Sequence, residues 1–305
     1  MKDTKHKILT LAALTTIAAG VIHLTNRVIV ASSQLKEMLD FSNHNYYNWR
    51  FGKIYYTKKG KGSPLLLIHD TMPGASGYEW SRVEDQLAQE HTVYTLDLLG
   101  CGRSEKAGIT YTNFLFVQII CDFIKNVIKE KTDIIASGFS CSFVTTAAAY
   151  DKESINKIMF INPVSMISLA QTTTKKDKLF KFFIELPIFG TFIYHIIVSR
   201  ETINDFFLDK LYYNPFHVDK DVLDTYYEAA HKGGYYAKCL YSSQSAKYMN
   251  INIRHAVESI DNSIYIVEGE DEPNGAAIVE AYQKVNPAIE SATIPCSKHF
   301  PHIEN

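Results

Sequence analysis

Asp133-Ile134-Ile135-Ala136-Ser137, followed at once by Gly138-Phe139-Ser140-Cys141-Ser142, is the stretch whose reading decides the fold. The first five residues form a β-rich run, and an alanine-rich helical stretch follows Ser142. A sharp strand-to-helix turn tolerates only small residues two positions either side of its apex, because larger side chains collide there. With Gly138 and Ser142 as those neighbours, Ser140 is the expected apex. Its hydroxyl would stand above the sheet, beside the free N–H groups and positive dipole end of the helix. That is the setting of an activated nucleophile.

Working outward, Pro64-Leu65-Leu66-Leu67-Ile68 is a continuous apolar run without helical period, the pattern of a strand buried on both faces. It leads into His69-Asp70-Thr71-Met72-Pro73-Gly74. A second strand, Thr92 to Leu96, ends in Asp97-Leu98-Leu99-Gly100-Cys101-Gly102. Near the C-terminus a strand over 263–267 meets the acidic cluster Glu268-Gly269-Glu270-Asp271-Glu272, and Thr293-Ile294 leads to His299-Phe300-Pro301-His302. Tyr46 to Thr57 reads as an antiparallel hairpin turning at Phe51-Gly52, with helices expected over 78–90 and 112–129. Ligands of such a sheet gather outside the carboxyl ends of its strands, where all these polar residues fall.

Between Pro163 and Ile260 the pattern changes to short helices punctuated by Pro187, Gly190, Asn214-Pro215 and Gly233-Gly234, rich in Phe and Tyr. The expected organisation is an N-terminal segment over 1–33, an α/β core over 34–164, a helical cap over 165–260, and the rest of the core over 261–305. Most of the rings should form the cap's own core. A few would be left to line an apolar pocket.

The net charge of −2 gives no electrostatic reason to expect nucleic acid as a partner. Five scattered cysteines form no Cys-x-x-Cys pair and no zinc spacing, so neither a disulfide framework nor a metal is expected. Gly100-x-Gly102 lacks the third glycine of a dinucleotide fingerprint, since Glu105 stands there, and no cofactor is inferred. From Ile8 to Asn26 run 19 residues without Lys, Arg, Asp or Glu, preceded by Lys2, Lys5 and Lys7. As a helix they reach about 28 Å, the thickness of a bilayer's hydrocarbon core. A single-pass anchor in the cell membrane is the leading reading. A cleaved signal and a surface helix are the alternatives, and the side on which the folded part lies stays open.

From about residue 46 onward the sequence resembles the α/β-hydrolase family, in particular its cap-bearing, esterase-like members with an N-terminal membrane segment. The resemblance implies an α/β fold with a mostly parallel, doubly wound sheet. It also implies a triad in the chain order Ser140, acid, His299. The family's Gly-x-x-Asp spacing lands on Glu272, whereas Asp271 has the commoner residue type one position early; both stay candidates. The backbone N–H groups of Cys141 and Thr71 are the implied oxyanion donors. The implied activity is cleavage of a small acyl substrate, a carboxylic ester, through an acyl-enzyme. A non-catalytic, anchored binding protein is the alternative. Three departures favour it: His69-Asp70 where the family has His-Gly, the irregular acid, and a sequence stopping at Asn305 where relatives continue into a helix, which leaves the His299 loop less supported.

Overall fold

A computed structural model describes residues 2–39 and 45–304. Eight strands form one sheet: β1 (Asn45–Trp49), β2 (Gly52–Lys59), β3 (Ser63–Ile68), β4 (His91–Leu96), β5 (Thr132–Ser137), β6 (Ile155–Ile161), β7 (Ile264–Gly269) and β8 (Glu290–Ile294). Their order is β1-β2-β4-β3-β5-β6-β7-β8. The pairs β1–β2 and β2–β4 are antiparallel; the other five are parallel. The hairpin turns where the sequence predicts, with Trp49 opposite Gly52. In β3 every residue from Pro64 to Ile68 is buried, as a central strand covered on both faces requires.

Two local expectations need correction. The helix expected over 78–90 is split into Gly77–Trp80 and Glu84–Leu87. The helix expected over 112–129 runs as an α-helix from Asn113 to Phe123, then widens into a π turn that ends on Lys129 at φ +65°. Thr112 starts it, accepting the Leu115 N–H through its hydroxyl.

One face of the sheet packs on the helices Asn113–Phe123 and Ser140–Tyr150, where Phe116 stacks on Phe143 at 4.6 Å. A smaller cluster of Leu65, Leu67, Trp80, Val93 and Ile161 covers the other face. Between β6 and β7 lies a run of helices with its own core, and this core reaches into the sheet's loops. It includes Met72 from the loop after β3 and Phe300 from the loop after β8, beside Tyr194, Phe207 and Tyr226. Burying a ring such as Phe300 contributes about 1.5–3 kcal/mol, so both loops are fastened by the insertion. Gly74 marks the closest approach: at φ +83°, a Cβ there would stand 2.3 Å from the carbonyl oxygen of Tyr226.

The N-terminal helix, Lys2–Ser33, is long and apolar enough to cross a membrane. Most of its large apolar side chains from Ile8 to Val28 are exposed, Ile22 being half-buried, and Asn26 is buried against the helical insertion.

Candidate active site

The site is assembled from the ends of β3, β5, β6, β7 and β8. After β3, the buried His69 ring is fixed by its neighbours: Nε2 accepts the Leu98 N–H at 3.0 Å, and Nδ1 lies 2.5 Å from the Asp70 carbonyl. The Asp70 backbone N–H donates to Glu79 Oε2 at 3.0 Å. Glu79 is itself fully buried, accepts the Ser137 hydroxyl, and has His302 Nε2 at 3.4 Å from Oε1. One buried carboxylate therefore ties three loops together below the site.

The turn after β5 is where the structure departs from expectation. Ser140 is the first residue of the helix rather than the apex. Its hydroxyl points beneath the turn and donates to the His69 carbonyl at 2.6 Å. The left-handed apex is Gly138, at φ +53°, between Ala136 and Ser140 as the small flanking residues. Ser140 and His299 are not brought together. Nor does Cys141 turn toward the site: its thiol lies against the Ala136 carbonyl, and burial pushes its pKa well up. The N–H that faces the site belongs to Phe139.

Asp70 occupies the place left open. Its Oδ1 accepts the N–H of Thr71 at 2.6 Å and of Phe139 at 2.8 Å. Its Oδ2 lies 3.3 Å from His299 Nε2. A Cβ built on Gly138 would stand 2.2 Å from that same Oδ2. A side chain at the apex and the Asp70 carboxylate exclude each other. Of the two N–H groups expected as oxyanion donors, that of Thr71 faces Asp70 Oδ1; the N–H beside it is that of Phe139, not of Cys141.

On the far side of the imidazole, His299 Nδ1 meets Glu272 Oε1 at 3.2 Å. Glu272 is half-buried, whereas Asp271 is exposed and contributes its backbone N–H to Ser297 O. Asn162, at the end of β6 with φ +44°, clamps the His299 loop by donating from Nδ2 to the carbonyls of Lys298 and His299, both at 2.9 Å. The C-terminal residues add support that the sequence did not suggest. Pro301–Glu304 form a short helix, Glu304 accepts the N–H groups of Lys298 and Tyr213, and Arg82 donates to the Ile303 carbonyl. Asp97 is turned away from this chemistry, accepting from the Gly77 N–H and, through both oxygens, from the Arg103 guanidinium.

Burial alone would raise the Asp70 carboxyl, yet the bonds from His299, Phe139 and Thr71 hold it below the usual carboxylate range. Burial likewise opposes charge on His299, but Asp70 and Glu272 outweigh it and push the imidazole up to about 10. The His299 ring is thus held between the side chains of Asp70 and Glu272, which together favour its protonated form.

A small void of about 20 Å³ adjoins Thr71, bounded by Met72, Pro73, Cys101, Tyr194 and Tyr241. Met72, Pro73 and Tyr241 also border a larger cleft of about 390 Å³ walled by Ile197, Val198, Ile203, Phe206 and Phe207.

Residues 65–305 match the family described as "Alpha/beta hydrolase family". A 2-hydroxy-6-oxo-6-(2'-aminophenyl)hexa-2,4-dienoic acid hydrolase of Metapseudomonas resinovorans is 28% identical over 114 residues, 37% of this chain and 39% of that protein. A soluble epoxide hydrolase of Corynebacterium sp. (strain C12) is 29% identical over 109 residues, 36% of this chain and 37% of that protein. The chain thus spans about two fifths of the length of these relatives. Among solved structures, a serine hydrolase involved in carbazole degradation superposes with a TM-score of 0.69 at 18% identity, covering 86% of this chain and 93% of its own. A membrane phospholipase A superposes with a TM-score of 0.67 at 17% identity, covering 99% and 94%.

Proposed function

The chain belongs to the alpha/beta hydrolase family, and we propose that within it the chain is a hydrolase whose nucleophile is the Asp70 carboxylate rather than a serine. The observation that carries this reading is the position of Asp70, with Oδ1 on the N–H groups of Thr71 and Phe139, Oδ2 on His299, and no side chain at Gly138 to displace it.

The occupied donor pair selects the chemistry. Acyl transfer from a serine needs two free N–H groups for the substrate's oxyanion, and here Asp70 Oδ1 already holds them. A carboxylate attacking a saturated carbon needs no such hole in its first step. Asp70 Oδ2 bonds to that carbon as the bond to the leaving oxygen breaks, and the His299 imidazolium gives its Nε2 proton to the departing alkoxide. The products are an alkyl ester on Asp70 and a neutral imidazole. Esterification removes one of the two charges that hold the His299 proton, so the ring is released to act as base. In the second step it takes a proton from water, and the hydroxide attacks Asp70 Cγ. The oxyanion develops on Oδ1, where the Thr71 and Phe139 N–H groups already point. Collapse expels the alkoxide, which takes up the proton of the newly formed acid, restoring carboxylate and imidazolium. Glu272 positions the ring through Nδ1 at both stages.

The substrate class this chemistry selects is a small alkyl electrophile with an oxygen leaving group, such as an epoxide. The apolar cleft along Ile197–Phe207 suits a hydrocarbon substituent.

The test is a single turnover, with enzyme in excess, of a panel of aryl and alkyl epoxides in ¹⁸O-water. The expected result is one ¹⁸O atom in the peptide carrying Asp70, with no fluorophosphonate labelling of the protein. Fluorophosphonate labelling that vanishes in Ser140→Ala would overturn the proposal and restore the serine route. Tight binding of the panel without turnover would overturn it in favour of a binding protein.

A further inference from the structure

The N-terminal helix does more than extend from the domain: it fixes a depth. If Ile8–Asn26 fill the hydrocarbon core, Asn26 and the exposed Arg27 after it mark the water boundary. At that level the helix is joined to the insertion, because Asn26 Nδ2 donates to the Ile188 carbonyl at 2.9 Å. Ile188 lies at the corner between the helices Lys175–Glu185 and Phe189–Ile197, which meet at 103°. The chain beyond the N-terminal helix reinforces the joint: Lys36 pairs with Asp224, and the Met38 N–H donates to Glu228 Oε2 at 2.7 Å.

The outward faces of this corner are apolar. Leu179, Phe182, Phe183, Phe189, Ile193 and Ile196 are between 42% and 59% exposed, more apolar surface than a water-facing helix pair normally presents. The inward face of the first helix buries Ile184 and Lys181, the latter paired with Glu185. One turn before the aromatic residues stand the exposed Lys175, Lys176 and Lys178, placed for anionic headgroups. A groove of about 650 Å³ lies along the seam between the two parts, lined by His23, Asn26, Arg27 and Val30 opposite Pro187, Ile188 and Thr191.

We propose that the corner formed by Lys175–Glu185 and Phe189–Ile197 is a bilayer-docking face, seated in the interface of an anionic phospholipid membrane beside the spanning helix. The depth argument and the apolar corner converge on the same plane. Exposed aromatic rings together with lysines on the same helix pair are the composition an interfacial element requires. The inference does not rest on the catalytic reading.

The experiment uses the full chain in phosphatidylcholine–phosphatidylglycerol vesicles containing lipid brominated at known depths. Phe183→Trp and Phe189→Trp place reporters on the face, and Tyr150→Trp is the control, 77% exposed at the end of the helix Ser140–Tyr150. Native Trp49 and Trp80 are buried and supply a constant background. The expected result is at least twofold quenching at 183 and 189 by lipid brominated near the glycerol, weaker quenching by lipid brominated at the chain ends, and none at 150. Unquenched emission at 183 and 189 would overturn the proposal, whether or not the chain floats with the vesicles. Equal quenching at all three positions would also overturn it.

Discussion

The loop after β3 and the turn after β5 have complementary departures from a serine-based site. The first carries a carboxylate where the α/β-hydrolase pattern has glycine; the second carries glycine where the pattern has a nucleophile. Each alone would be damaging: a carboxylate would fill the oxyanion hole, or an apex without a side chain would have no chemistry. Together they fit, since the space missing a Cβ at Gly138 is the space that Asp70 Oδ2 fills. On the proposed reading, a reactive group reaches the same point above a sheet from a neighbouring strand, provided the original strand gives up its side chain.

The sharpest way to break this comparison is to remove the carboxylate. Asp70→Asn keeps the shape and is expected to lower turnover by about ten-thousandfold, the scale of losing one member of a catalytic constellation, measured as kcat under saturating substrate. Exchanging the parts back tests the complementarity itself. Gly138→Ser alone forces a Cβ onto Oδ2 at a left-handed φ and should cost about 3 kcal/mol or more in urea unfolding. Adding Asp70→Gly should recover most of that loss and create fluorophosphonate labelling at position 138. A double variant no more stable than Gly138→Ser would end the idea that the two positions compensate.

The acid gives a smaller contrast between neighbours. Glu272→Gln should reduce turnover by about a hundredfold by loosening the imidazole, whereas Asp271→Asn, at an exposed position, should leave it within about twofold.

The pH dependence follows from His299, whose folded pKa is raised from an ordinary value near 6.5 to about 10. Its contribution to stability is complete below about 6.5 and is lost as pH rises through about 10. Melting temperature should therefore fall across this window, and Asp70→Asn should move the fall to lower pH. An unchanged profile in Asp70→Asn would show that the two groups are not paired.

Ser140→Ala should also change little: turnover within about threefold, and about 1 kcal/mol of stability lost with the bond to the His69 carbonyl.

The sheet was legible because its central strands are bare apolar runs bounded by turn residues, as in Pro64–Ile68 and Ile134–Ala136. The family resemblance points to His299 and to a carboxylate at 271 or 272, and the structure sets the His299 ring against Glu272. The turn after β5 misled for a definite reason. Both Ala136-x-Gly138-x-Ser140 and Gly138-x-Ser140-x-Ser142 satisfy the small-x-apex-x-small rule, and a hydroxyl at the centre of the second is the more conspicuous. The signal that separates them is conformational: an apex needs positive φ, which glycine adopts without strain. The buried support from Glu79 and Asn162 left no local mark at all, because Glu79 meets Ser137, 58 residues on, and His302, more than two hundred on, while Asn162 bonds the His299 loop more than a hundred residues away.

Gly74 carries a consequence for how the molecule tolerates change. The backbone of the loop that bears Asp70 lies so near the backbone of the helix above it, at Tyr226, that not even a methyl group fits between them. Alanine at this position would act as a shim, prising the roof from the floor at the very edge of the Asp70 carboxylate. Roof and floor are therefore bound to vary as a matched pair, and a helical insertion borrowed from a relative would need to bring its own seating for this loop.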